Sequence, residues 1–234
     1  MAILDSLFKE TYISDIVKRN KIRNVGEMEA LLDILSSAIG ALTNPNKLQK
    51  TFKSVNRSKI TATTITKYIE YLEDAFLIEE AVRYDIKGKS YIGTPLKYYF
   101  MDMGLRNARI NYRQIEITHS MENVIYNELR MRGFSVDVGN LTIVENGKDG
   151  KAVKKQLEVD FICNKGSKKY YIQSAYQLGT EEKSAQEIRP FLKINDSFKK
   201  IVITSDTPKP CYTDEGILMM NVYDFLLIPE MIDL

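Results

Sequence analysis

The sequence has no tryptophan, a single histidine (His119) and two cysteines, Cys163 and Cys211. The cysteines stand far apart with no C-x-x-C spacing, so neither a disulfide framework nor a zinc-ribbon pattern can be assembled. One histidine and two distant thiols also leave a structural zinc site short of ligands. Nowhere do 18 apolar residues run together, which excludes a membrane-spanning helix on sequence grounds. The first twelve residues lack the basic-then-apolar order of a secretory signal. A cytoplasmic location and no membrane partner are therefore expected. Charge of one sign is also missing: 33 basic residues against 31 acidic ones give +2, so the chain is neither a polycation nor an acidic tail. What is present is ordinary folding material, 44% hydrophobic and 27% charged over 234 residues, enough for one large domain or two modest ones.

Hydrophobic spacing organises the first half into helices. Leu4, Leu7, Phe8, Tyr12, Ile16 and Val17 follow a 3.6 period, and the charged connector KRNKIRN follows. That apolar stripe finds no obvious partner before it, so the opening reads as the middle of something longer. Met28, Leu31, Leu32, Leu35, Ala38, Ile39 and Leu42 predict a helix over residues 25–42. TNPNK then offers a cap and a helix-starting proline for a second helix over 47–55. Thr61 is the expected cap of a third, with Ile65, Ile69, Leu72 and Phe76 facing inward. LIEEAVRYD and KYYFMD are β-rich runs around the turn IKGKS. Three helices followed by a hairpin is the pattern of a winged helix-turn-helix.

Beyond NYRQIEITH the pattern changes. Met121, Val124, Ile125, Leu129 and Met131 predict a helix ending at Gly133. A strand over 134–138, another through Ile143 and Val144, the polar hairpin ENGKDGKAVKK, and the strands LEVDFIC and KKYYIQSAY follow. A helix over 181–192, the strands KKIVIT and GILMMN and a short last helix complete an α/β layer with a mixed sheet. The expected boundary lies near residue 115.

Charge is uneven along the chain. Between Asn44 and Lys67 stand Lys47, Lys50, Lys53, Arg57, Lys59 and Lys67 and no acid. In helix-turn-helix readers this segment meets phosphates and base edges. Thr63, Thr64, Lys67 and Tyr68 fall on the polar side of the third helix, and Lys87 and Lys89 are wing candidates. DNA is the expected partner of such a face. A solvated basic surface, or one that docks on an acidic protein, would show the same charges.

Two motifs bear on catalysis. GKS at Gly88–Ser90 lacks the glycine a phosphate loop needs five positions earlier, where Arg83 stands, and it lies in a hairpin. It reads as a turn. In the second half Glu158 and Asp160 share one face of a strand, Gln173 and Ala175 are two apart on the next, and Glu122 lies on the preceding helix. Nucleases of the PD-(D/E)xK type hold Mg²⁺ with carboxylates in this order, the ion preferring hard oxygen ligands and activating a water. Glu122, Asp160 and Gln173 are thus the candidate metal ligands and Mg²⁺ the candidate cofactor, with Glu158 beside them. The carboxylates could equally be solvent-facing acids, or pair with Lys155 or Lys169.

The blocks NKIRN, TITKYIEYLEDAFLIEEAVRYDIKGKS, KYYFMDMGLRNA, MENVIYNELRMRG, LEVDFIC and YYIQSAYQL, in this order, resemble the C-terminal region of archaeal and bacterial AAA-type P-loop ATPases that carry a domain of unknown function after the ATPase core. The resemblance covers nearly the whole chain. It implies a linker helix over 1–24, a winged helix over 25–115 and a restriction-endonuclease-like α/β domain over 116–234, with the ATPase core as partner on the parent chain. No Walker A stretch is present here.

One departure matters. Where an active nuclease carries acid-x-Lys, this chain has Gln173-Ser174-Ala175. Losing a preorganised charge-stabilising group commonly costs about 10²–10³ in rate. The expectation is a nucleic-acid-binding accessory region whose nuclease-like fold has lost efficient cleavage. A Mg²⁺-dependent DNA nuclease and a module that docks or regulates the ATPase are the alternatives.

Overall fold

Local caps and apolar spacing account for most of the helices in the computed structural model, which describes residues 4, 6–56, 58–113, 116–146 and 151–234. The described residues form a mixed α/β fold with eight α-helices and eight strands. Contacts divide the chain into two units, Met1–Ala81 with Thr94–Asn123, and Val82–Gly93 with Val124–Leu234.

In the first unit a π-helical stretch, Leu7–Ile13, runs into α1 (Ser14–Arg19). Phe8, Ile13 and Ile16 are buried in the unit's core beside Leu31, Leu35 and Leu105. The first helix therefore does not present an unpartnered stripe. Its partners come later in the sequence, which is why reading forward from the start found none. Helix α2 (Val25–Ser37) begins at Asn24, whose side chain accepts from the Glu27 N–H. Helix α3 (Pro45–Thr51) begins at Asn44, whose Oδ1 accepts from Lys47 N–H at 2.8 Å, with Pro45 in the first turn where its missing N–H costs nothing. A π-helical turn, Phe52–Asn56, extends it.

Helix α4 (Ala62–Asp74) is capped by Thr61, which accepts from Thr64 N–H, and buries Ile65, Tyr68, Ile69 and Leu72. The expected inward place of Phe76 is taken by Leu77. The helix stops at Asp74, and Phe76 turns to φ 54 just past it. Leu77 N–H closes back on Leu72 O at 3.0 Å. This swings Phe76 to 79% exposure and leaves Leu77 buried.

Strands β1 (Ile78–Asp85) and β2 (Ser90–Phe100) form the hairpin around IKGKS, its arms running right up to the turn. The Asp85 carboxylate accepts from the N–H groups of Lys87 and Gly88, both at 3.0 Å, an Asx turn that fixes the reversal. Helix α5 (Met103–Arg109), which the sequence pattern did not signal, is capped by Asp102. Its Arg106 is fully buried and donates Nε to Ser36 O, in the last turn of α2, at 2.8 Å. A cation on the carbonyl end of a helix answers both an orphan acceptor and the helix dipole. Helix α6 (Ile117–Met131) begins in this unit.

The second unit is built on one mixed sheet, in the order β2-β1-β3-β4-β5-β6-β8-β7. The hairpin tip joins it as Arg83, Tyr84 and Asp85 pair in parallel with Val138, Gly139 and Asn140. Strand β3 (Ser135–Asn146) is one long strand, not the two expected. An irregularity between Asp137 and Gly139 absorbs the break in pattern. Gly139 is needed there because a Cβ would stand 2.8 Å from that of Val159. Strand β4 (Ala152–Lys165) pairs antiparallel with β3 and with β5 (Lys168–Ala175). Residues 147–150, within the expected hairpin ENGKDGKAVKK, lie outside the described residues. Helix α7 (Glu181–Ile188) and a 3₁₀ turn, Phe191–Lys193, precede β6 (Lys199–Thr204). Strands β7 (Cys211–Tyr212) and β8 (Leu218–Asn221) and helix α8 (Val222–Leu227) close the unit. Val159, Ile162, Tyr171, Phe191 and Val202 are buried at its centre.

In the first unit the buried Asn123 acts as a strand substitute. Its Oδ1 accepts from Phe100 N–H at 2.8 Å and its Nδ2 donates to Phe100 O at 2.7 Å. Asn123→Ala removes both bonds from the interior, and a loss of roughly 2–4 kcal/mol is expected. Urea unfolding followed by circular dichroism measures it.

Candidate functional site

The lysines of the basic segment reach the surface of the first unit together. Lys47, Lys50, Lys53, Lys59, Thr63 and Lys67 are exposed, Thr64 is half-buried, and Arg57 lies outside the described residues. Lys50, Lys53 and Lys59, with Gln49, Ser58 and Ile60, line a cavity of about 590 Å³. The loop that carries Lys59 is held from both sides. Gln49 Nε2 donates to Ile60 O at 3.1 Å, and Ile60 N–H donates to Ser58 Oγ at 3.1 Å. Ser58 Oγ in turn donates to the Glu27 carboxylate.

Lys47 is turned elsewhere: its Nζ donates to Leu42 O at 2.9 Å, and it lines a separate groove of about 510 Å³ with Ala30, Ile34, Ala38, Leu48 and Val55. Tyr68, expected on the polar side of α4, is buried. One helical turn past Thr64 the ring falls on the same face as Ile65 and Leu72. The other end of α4 is acidic. Burial, followed by the charges of Glu80, Glu70 and Asp74, pushes the Glu73 carboxyl up to about 7. The positive end of α4 is therefore the one beside Lys50, Lys53 and Lys59. Lys87 and Lys89 are exposed on the hairpin turn and belong to the second unit.

Glu122 lies in the first unit and is buried with Lys97 and Tyr99. Its Oε1 accepts from Lys97 Nζ at 2.8 Å and from Tyr99 Oη at 2.7 Å. His119 stands beside them, Nδ1 3.6 Å from Glu122 Oε2 and Nε2 3.4 Å from Glu116 Oε2. At 3.6 Å the first is a charge contact rather than a hydrogen bond. Burial pushes the Glu122 carboxyl up. The Lys97 ammonium, together with the contacts from His119 and Tyr99, outweighs this and holds it below the usual carboxylate range. The Glu122 carboxylate raises the His119 imidazole's pKa against the opposing pull of burial. Gly40, at φ 72, closes the pocket: a Cβ there would stand 2.6 Å from His119 Nδ1.

The second unit brings Asp160 and Gln173 together. Asp160 N–H points to Gln173 Oε1 at 3.4 Å, and Asp160 Oδ2 accepts from Ser174 N–H at 2.8 Å. Gln173 Nε2 donates to Glu187 Oε2 at 3.3 Å. Glu187, on α7, was not foreseen in the sequence. Burial is the main cause of its raised pKa. Glu158 is half-buried and registers across from Asn140 on β3. Ala175, standing where acid-x-Lys would put the lysine, is buried in the apolar core. Lys169 Nζ lies over the rings of Tyr171, Phe198 and Tyr84, at 5.0, 5.1 and 6.0 Å from their centres. That arrangement is a cation–π cluster. Among the described residues no group of three or more His, Cys, Asp or Glu side chains is arranged to hold a metal ion. No helix among them is long and apolar enough to cross a membrane.

Residues 1–116 are covered by a domain of unknown function (DUF8612), which ends just before α6. A protein of Haemophilus influenzae named only "Uncharacterized protein" is 34% identical over 225 residues, 96% of this chain and 52% of its own length. "Uncharacterized protein MJ1544" of Methanocaldococcus jannaschii is 30% identical over 228 residues, 95% of this chain and 46% of its own length. The chain thus spans about half the length of these curated relatives. Among solved structures, protein VC1899 from Vibrio cholerae aligns over 95% of this chain and 53% of its own, at 12% identity and a TM-score of 0.29. A likeness that slight carries no argument about the fold.

Removing one member of a buried ion pair strands the other charge, so Glu122→Ala is expected to lose about 3–5 kcal/mol of stability. The loss is expected to be the same with and without Mg²⁺ in urea denaturation. A stability increment that Mg²⁺ confers on the parent chain and not on the variant would instead assign Glu122 to a metal.

Proposed function

We propose that this chain is the accessory region of an AAA-type ATPase and binds nucleic acid through the lysine-bearing face of its first unit. The observation that carries the reading is the convergence of Lys50, Lys53 and Lys59 on one cavity with no carboxylate among the described residues of its lining. In this reading α3 and α4 form the helix-turn-helix and the β1–β2 hairpin the wing of a winged helix. Phosphates neutralise the ammonium groups, and counterion release drives association. Exposed Lys67, Thr63 and the side chain of Thr64 extend the contact along α4. The additional length of the curated relatives is ample for an ATPase domain on the same polypeptide.

The second unit is then a restriction-endonuclease-like domain that has lost efficient cleavage. Two features support this. Gln173 supplies a neutral amide bridging Asp160 and Glu187 where a metal site would use a carboxylate. The lysine position is filled by a buried alanine. Without that cation the charge developing on a phosphodiester has no fixed partner.

A duplex-binding titration at about 50 mM salt is expected to give a complex. The triple change of Lys50, Lys53 and Lys59 to Ala is expected to weaken it at least tenfold. The slope of log affinity against log salt should fall by up to about 0.9 for each phosphate contact removed. Absence of a complex at that salt, or an unchanged slope in the variant, overturns the reading. A plasmid-nicking assay with Mg²⁺ or Mn²⁺ is expected to show no cleavage. Nicking that disappears in Asp160→Ala would instead make the second unit an active nuclease.

A further inference from the structure

The lysine cavity is shaped for more than the ridge of a duplex backbone. Phosphodiesters on a duplex are singly charged and strung along a convex surface, which suits cations spread over a helix face. Here three of the lysines come from three successive pieces of chain, α3, its π-helical extension and the loop before α4, and surround one concavity. Its volume, about 590 Å³, lies in the range of small-molecule sites. The wall is preorganised: Gln49 pins Ile60 O, and Ser58 Oγ links Ile60 N–H to Glu27. Glu27, tied to Ser58, is not among the residues that line the cavity.

A phosphate monoester carries about −1.5 to −2 at neutral pH and presents three free oxygens. A diester offers one charge and two. Three lysines lining a single pocket match the charge of the first and exceed that of the second. We infer that the cavity bounded by Lys50, Lys53 and Lys59 receives a phosphomonoester, either the terminal phosphate of a nucleic-acid strand or that of a free nucleotide. The strand-end form rests on the nucleic-acid reading of this face, and the nucleotide form does not need it.

The test uses the full chain and two pairs of probes. One pair is a blunt duplex with 5′-phosphate ends and the same duplex with 5′-hydroxyl ends; the other is AMP and adenosine. The phosphorylated duplex is expected to bind about tenfold tighter than the hydroxyl form. Lys53→Ala or Lys50→Ala should abolish that preference. Lys67→Ala, outside the cavity, should weaken both duplexes alike. AMP and inorganic phosphate, but not adenosine, are expected to compete. AMP binding that Lys53→Ala removes, in a chain that binds neither duplex, supports the pocket with the free nucleotide as its source and overturns the nucleic-acid reading alone. Equal affinity for the two duplexes with no AMP binding overturns the phosphomonoester inference and leaves the backbone reading standing. Failure of every probe to bind overturns both.

Discussion

Taking a lysine and a glutamate out of water together is tolerated only when each charge finds the other and every remaining polar atom nearby is answered. In the first unit Lys97 and Glu122 find one another, with Tyr99 donating to the same carboxylate oxygen. Much of the unit's local geometry follows from that pair. It fixes the start of α6 against β2, and the neighbouring Asn123 completes the attachment by bonding both backbone groups of Phe100. It places His119 where only a glycine at position 40 can pass. It also decides what Glu122 can do. Its Oε1 is already answered by an ammonium and a phenol, and a metal at that oxygen would have to displace both. The ion pair therefore gives Glu122 a structural role of its own.

The same unit is electrically polarised along α4. Lys50, Lys53 and Lys59 gather beside its N-terminal end, where the helix dipole adds to their field. Glu70, Glu73, Asp74 and Glu80 crowd the other end, where burial first and then these neighbouring charges make Glu73 resist ionisation. The near-zero net charge of the whole chain conceals this separation. Glu27 moderates the basic end without entering the cavity, because Ser58 holds its carboxylate.

Features set by near neighbours were legible in the sequence. Asn44 and Thr61 cap helices because their side chains reach N–H groups three residues away, and the spacing of Ile65, Ile69 and Leu72 defines a buried face. The alternation of strands and helices after residue 134 gives the mixed sheet. Features set by distant partners were not. The opening helix looked unpartnered since its core neighbours, Leu31, Leu35 and Leu105, follow it in the chain. An acid on a helix is visible as Glu122, but Lys97, 25 residues earlier, is not visible as its counter-ion. Phe76 and Leu77 exchange places through a left-handed residue, a backbone choice that hydrophobic period does not encode. Glu187 escaped notice because it reaches Gln173 from α7, across the loop after β5.

Gln173 serves cohesion between β4, β5 and α7. Its amide accepts from Asp160 N–H at one end and donates to Glu187 at the other. A glutamate in its place could accept from Asp160 but would turn a second carboxylate toward Glu187, whose own ionisation burial already disfavours. Two carboxylates that close disfavour one another's ionisation, so the pair would be strained without a counter-cation. Glutamine removes that dependence on an ion. Ala175 acts in the same direction, since a lysine there would carry its charge into the cluster of Val159, Tyr171 and Phe191. The two positions reinforce one another: a neutral bridge needs no neighbouring cation, and an apolar neighbour leaves no cation to balance a second acid.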